Sequence, residues 1–183
     1  LDEIAYSSHQ RALSASENGH LDNQILEITE TLDKDEGVRP ETTKEILSQL
    51  DPAFKPDGVI TAGNSSQISD GAAALLVVSE DVINKYNLEP IVKINSMSVV
   101  GTDPVLMLSG PIPATNKALE HAKLKPKDIN LVEVNEAFSS VVGAWRKEFP
   151  GISYENVNAN GGSIAIGHPL GATGARLMTN LIH

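Results

Sequence analysis

The 183 residues contain no cysteine. That absence excludes a disulfide scaffold, a Cys-ligated zinc site and a cysteine nucleophile within this stretch. Positive charge is also scarce: 14 Lys and Arg stand against 24 Asp and Glu, a net charge of −10. Such a balance argues against a nucleic-acid or anionic-membrane surface as partner. No apolar run approaches the length needed to cross a bilayer, and the N-terminus lacks the charged, then apolar, then small-residue order of a secretory signal. The expectation is a cytoplasmic protein with no nucleic-acid or membrane partner, any targeting segment lying before Leu1.

With 40% hydrophobic and 21% charged residues, the composition is that of a globular protein. Its length suits one domain or parts of two. Start and stop signals are missing at the ends. Leu1 opens directly on a helical pattern in which Leu1, Ile4, Ala5, Ser8 and Ala12 share a face, with Gly19 placed to close it. The last residues, ATGARLMTNLIH, stop while a helical pattern is still running. The sequence is therefore expected to be a window of a longer chain.

Residues 20 to 40 are polar and acidic and read as irregular or edge structure, followed by a short helix in ETTKEILSQL. The apolar run Ala72 to Val78 has the length and β-branched ending of a strand buried on both faces. Ser79 caps a predicted helix through EDVINKY, and Pro90 starts a second predicted strand, IVKINSMSVV, with clearer alternation. PIPATNKALEHAKL predicts a helix with Ala114, Ala118, Leu119 and Ala122 on one side. INLVEV predicts a short strand, and NEAFSSVVGAWRKEF a helix turning Ala137, Val141, Ala144 and Trp145 inward. Strands and helices in this alternation predict a layered α/β domain.

Three stretches are suited to chemistry. In TAGNSSQISDG, small residues and hydroxyls precede the apolar run, so backbone N–H groups could meet an anionic or amide-bearing ligand; taken alone, the loop reads first as an ordinary turn rich in side chain to backbone bonds. VEVNEAF puts Asn135 where a predicted strand gives way to a helix, a place where ligands gather in α/β sheets. Asn135 is equally suited to N-capping, and Glu136 to a first-turn acid favoured by the helix dipole. NANGGSIAIGHPLGATGAR, residues 158–176, packs five glycines around His168 and holds one charged residue, Arg176. Glycines and Pro169 would hold the imidazole on a rigid loop with open space before it, which suits a base or an oxyanion donor, although a structural histidine fits the spacing too. The remaining histidines, His9, His20, His121 and His183, lie on polar or terminal stretches. No metal site is expected.

These motifs carry a family resemblance. NVNANGGSIAIGHPLGATGAR resembles the second signature of the thiolases, VEVNEAF their Asn-Glu-Ala-Phe motif, and TAGNSSQISDGAAALLV the loop and strand before their second half. VVGTDPVLMLSGPIPATNKAL resembles the segment that these enzymes carry in between, and the match runs in family order over nearly the whole chain. The resemblance implies acyl transfer between a nucleophilic cysteine and coenzyme A, either as thiolysis of 3-ketoacyl-CoA or as Claisen condensation of acetyl-CoA. It implies that His168 activates the cysteine and helps bind the thioester oxygen, and that Asn135 holds a water completing the oxyanion site. It also implies CoA contacts from Ser66, Ala62 and Ile68 and apolar contacts from Phe54 and Phe138. CoA and acyl-CoA are then substrates, with no permanently bound cofactor, and fatty-acid metabolism is the setting.

The implied fold is the thiolase-like α/β/α/β/α layering, only partly covered. Residues 1–69 would end an inserted loop domain, 70–90 would finish the first half, and 91–183 would make most of the second. The family's usual homodimer or homotetramer is implied for the parent enzyme. Both family cysteines are missing from these residues, so the expectation for the piece alone is inactivity. A catalytically silent thiolase-like protein that binds CoA or lipid is the competing expectation.

Overall fold

The computed structural model describes residues 1–30 and 32–183. Its organising element is helix α1, Asp2–Glu17, which buries Ile4, Ala5, Ser8, His9, Ala12 and Ala15 along one face. Leu1, expected on that face, stays exposed. The helix ends at Asn18, and Gly19 follows in a left-handed conformation, φ +72°. His9 departs from the expectation of a polar setting. It is buried, its Nδ1 accepts from the Arg39 backbone N–H at 3.2 Å, and burial lowers its pKa to about 4.

Helix α2, Lys44–Leu47, is capped by the Thr43 hydroxyl, and helix α3, Glu80–Tyr86, by that of Ser79. Helix α4 spans Pro111–Ala122 and helix α5 Ser139–Glu148. Asn135 is therefore not an N-cap, because α5 begins four residues later with Phe138 in the cap position. Glu136 is likewise no first-turn acid. The inward face of α5 consists of Val141, Val142 and Trp145, continued by Phe149, whereas Ala144, expected inside, is exposed. The 3.6-residue period selects 138, 141, 142, 145 and 149 as one stripe, and Ala144 falls off it. These side chains join Ile4, Val134, Ile152 and Val157 in the main core, and Trp145 Nε1 donates to Thr115 Oγ1 of α4 at 2.9 Å.

The expected strands are realised only in part. Among the described residues, strand pairing is limited to isolated bridges. INLVEV makes one of them: Val132 pairs in parallel with Val157, donating to Asn156 O and accepting from Asn158 N, both at 2.9 Å. Asn158 then leaves the extended region with φ +50°, and its side chain continues the pairing. Asn158 Oδ1 accepts from Val134 N at 2.7 Å and its Nδ2 donates to Val134 O at 2.9 Å. Residues 72–78 form no ladder, and Leu76 and Val77 are exposed. Residues 91–100 do show alternation: Ser96 and Ser98 turn inward and donate to Ala118 O and Ala114 O of α4, while Met97 and Val99 face outward.

Two short helices complete the chain, α6 at Ser163–Ile166 and α7 at Thr173–Ile182. Ile164 of α6 packs with Ala5 of α1 and Leu47 of α2. The loop between α6 and α7 carries His168. Among the described residues no helix is long and apolar enough to cross a membrane.

Candidate active site

Glu136 explains why the glycine-rich stretch sits where it does. Its carboxylate, 2% exposed, accepts from Ser8 Oγ at 2.6 Å, Asn158 Nδ2 at 2.9 Å and Ile164 N at 3.2 Å. One side chain thus ties together α1, the Val132–Val157 bridge region and α6. Burial raises the Glu136 pKa against these three donors, which favour the charged form. Gly162 lies so close that a β-carbon there would overlap the carboxyl group, so only glycine fits.

With Glu136 anchored, the neighbouring Asn135 turns toward the loop after α6. Gly167 has φ +93°, and a β-carbon on it would collide with the Ser69 hydroxyl. That close approach lets His168 N donate to Ser69 Oγ at 3.0 Å and to Gln67 O at 3.2 Å. Gln67 Nε2 in turn reaches Gly37 O, Ile164 O and Ala165 O at 2.7, 2.8 and 3.0 Å. The TAGNSSQISDG loop is therefore built against the histidine loop, which a free-standing turn would not be.

Hydrogen-bond logic fixes the state of the imidazole. Ser163 Oγ accepts from Arg176 Nη2 and donates to Asn135 Oδ1, so the Asn135 amide NH₂ faces His168 Nε2 and that nitrogen accepts, while Thr173 Oγ1 lies 2.7 Å from Nδ1. Nδ1 therefore carries the proton, and Nε2 presents a lone pair. The Asn135 Nδ2 group lies 3.3 Å from that lone pair. Burial, and after it the Arg176 charge, lower the His168 pKa and so favour the neutral ring. If Nε2 gained a proton, two donor groups would face each other with no acceptor between them. An oxygen bearing developing negative charge would supply that acceptor.

The other sequence-predicted residues lie on two sides of this pair. Ser66 N donates to Ala137 O at 3.0 Å, and Ser65 bridges Phe138. Phe54 and Phe138 meet edge to face, with centroids 5.8 Å apart. Ala62 opens a one-turn 3-10 helix capped by Thr61 and is exposed, as is Ile68 between Gln67 and Ser69. The structure thus brings Ser66, Phe54 and Phe138 against the Asn135 segment, while Ala62 and Ile68 occupy open positions on the same loop. No group of residues able to hold a metal occurs among the described residues.

Sequence reasoning passed over Thr173, Ser163, Gln67, Ser69 and Arg176. Arg176 did leave a signal, as the one charged residue in the glycine-rich stretch. Ser163, Gln67 and Ser69 are polar residues whose roles depend on partners 28 to 99 positions away, as in Ser163 with Asn135 and Ser69 with His168, whereas Thr173 meets His168 and Pro169 only five and four positions back.

Comparison with known proteins agrees over the whole chain. The family model "Thiolase, N-terminal domain" matches residues 1–81, and "Thiolase, C-terminal domain" matches residues 88–183. The 3-ketoacyl-CoA thiolase of Marinobacter nauticus is 45% identical, across 100% of this chain and 49% of its own length. The protein of the same name from Cronobacter sakazakii is 47% identical, across 100% and 50%. The Bacillus anthracis acetyl-CoA acetyltransferase structure overlays with a TM-score of 0.92 at 41% identity, covering 100% of this chain and 48% of that one. Human mitochondrial 3-ketoacyl-CoA thiolase in complex with CoA overlays at 0.91 and 40%, covering 100% and 46%. The chain spans about half the length of the relatives it matches. Its fold is the α/β fold of these structures, partly covered.

Proposed function

The chain belongs to the thiolase family, and we propose that the complete protein transfers acyl groups between acyl-CoA and CoA through a cysteine acyl-enzyme. The observation that carries this reading is the His168–Asn135 pair, with Nε2 and Nδ2 3.3 Å apart and the other ring nitrogen 2.7 Å from Thr173 Oγ1. In thiolysis, Nε2 takes the thiol proton of a cysteine, and the thiolate attacks the 3-keto carbon of the substrate. The C2–C3 bond breaks, its electron pair passes to the acetyl-CoA enolate, and that enolate takes a proton on carbon from a second cysteine outside these residues, whose thiolate then takes the thiol proton of the incoming CoA. A CoA thiolate then displaces the acyl group from the cysteine sulfur. At each tetrahedral stage the protonated Nε2 and a water held by Asn135 Nδ2 are the two donors that meet the oxyanion.

Both cysteines come from outside these 183 residues, which contain none. Ser66, Ala62 and Ile68 line the path of the pantetheine arm, and Phe54 and Phe138 cover its apolar end. A mostly apolar arm with two amides suits a loop of small residues. The working assembly is a homodimer or homotetramer, and CoA is a substrate rather than a resident cofactor.

The decisive experiment is an intact mass of the purified protein, followed by CoA-dependent thiolysis of acetoacetyl-CoA. We expect a mass well above 19.5 kDa and turnover that falls at least ~10³-fold in His168→Ala. A mass matching the 183 residues, with CoA binding but no turnover, would sink the enzyme reading for this chain and favour a truncated or catalytically silent CoA-binding relative.

A further inference from the structure

Behind Asn135 lies a group of residues that the acyl-transfer chemistry leaves unused. Ser163 Oγ donates to Asn135 Oδ1 at 2.6 Å, and Arg176 Nη2 donates to Ser163 Oγ at 2.7 Å. Ser163 is fully buried, and among the described residues the Nε and Nη1 atoms of Arg176 are buried without a hydrogen-bond partner. Glu133, which receives Asn180 Nδ2 at 3.4 Å, and Asp35 supply negative charge around the guanidinium.

The directions of these bonds are not interchangeable. A guanidinium only donates, so Ser163 must accept from Arg176 and spend its single proton on Asn135. The Asn135 atom facing Ser163 is thereby fixed as the carbonyl oxygen, and the amide NH₂ is forced toward His168. With the NH₂ facing Nε2, the neutral ring carries its proton on Nδ1, 2.7 Å from Thr173 Oγ1, which accepts it and has Pro169 O at 2.9 Å for its own proton. Donor polarity therefore runs in one sense from Arg176 through Ser163, Asn135, His168 and Thr173 to Pro169 O. Reversing any one link would set two protons or two lone pairs face to face.

Resting on the reading of His168 and Asn135 as the reacting pair, we infer that Ser163 and Arg176 are positioning residues. They hold the Asn135 amide in the one flip state that leaves His168 Nε2 unprotonated. Neither touches the reacting atoms. Their effect is to choose which of two nearly isosteric amide orientations, and hence which imidazole tautomer, the site adopts. In the opposite flip Asn135 Oδ1 would face Nε2, favour a proton there and remove the base.

The test is long-range ¹H–¹⁵N NMR of histidine on the complete purified protein, which identifies the protonated ring nitrogen without turnover. The native chain should show His168 as the Nδ1–H tautomer. Ser163→Ala should shift the population toward Nε2–H and raise the apparent pKa of His168, because the amide then offers an acceptor. Arg176→Lys, which keeps the positive charge beside Glu133, Glu136 and Asp35, should give the same shift with smaller amplitude if Ser163→Ala does not fold. Ile164→Val loosens the same helix without entering the relay and should leave the signal unchanged. An unaltered tautomer in both relay variants, or an equal change in Ile164→Val, would overturn the inference. Because the readout needs neither CoA nor cysteine, a silent protein by the thiolysis assay could still pass it.

Discussion

The stretch from Val132 to His168 and the stretch from residue 70 to 110 behave in opposite ways. In the first, buried polar groups find partners on α1, α6 and the 61–69 loop, and the backbone is held by side chains where a ladder gives out, as Asn158 does for Val134. In the second, Leu76, Val77, Ile91, Val99 and Val105 are exposed, and the hydrogen bonds to α4 run through side chains, Ser96 and Ser98 to its carbonyls and Lys117 Nζ back to Val99 O. A buried polar network supplies its own partners at close range, whereas a strand exists only when another backbone lies ~5 Å away. The surroundings of His168 and Asn135 are therefore specified within these residues, and the sheet is not.

Glycine substitutions should separate the two regions most sharply. Gly162→Ala drives a methyl group into the Glu136 carboxyl and should cost about 3 kcal/mol in chemical denaturation, because a packed, charged network has no soft direction in which to yield. Gly101→Ala, with open space around its added carbon, should stay within ~0.5 kcal/mol or stabilise slightly. Equal effects would mean that the 70–110 stretch is packed as firmly as the site, which would erase the contrast.

A second comparison tests the apolar side chains. Val142 is fully buried in the main core, while Val77 is 67% exposed. Val142→Ala should lower stability by about 2 kcal/mol through lost burial and a residual cavity. Val77→Ala should change the denaturation midpoint by less than ~0.5 kcal/mol equivalent. A Val77 effect near that of Val142 would show that the apolar run finds cover in solution.

What could be read from the sequence divides along the same line. Helices α1, α3 and α4 were legible because caps and 3.6-residue stripes are local signals, and Ser79 does cap α3 as expected. His168 and Asn135 were legible as candidates because glycine crowding is also local. The start of α5 was misplaced because Asn135 has capping chemistry, yet its amide is taken by Ser163 and His168. Ala72 to Val78 has strand composition, but composition cannot say whether a neighbouring strand is at hand. Glu136 was misread for a related reason, since three of its partners lie 22 to 128 residues away.

The pH dependence of stability offers the finest test, because groups moved by burial gather around α1 and the site and pull in opposite directions. His9 falls from 6.5 to about 4 on folding, so the unfolded chain binds more protons between those values. Its contribution is complete above pH 6.5 and is lost as pH falls toward 4. Burial pushes Glu133 from 4.5 up to about 7, so there the folded chain binds more protons, and stability declines as pH rises from 4.5 to 7. Each slope should amount to about 1 to 2 kcal/mol, since neither group is wholly sealed from solvent. The native chain should therefore show a shallow profile between pH 4.5 and 6.5, in which the two slopes oppose. Denaturation across this range should show His9→Gln losing stability as pH rises, with the Glu133 slope unmasked, and Glu133→Gln gaining it. If both variants kept the native profile, neither group would titrate across these intervals, and the buried polar block would be more open to water than its hydrogen bonds imply.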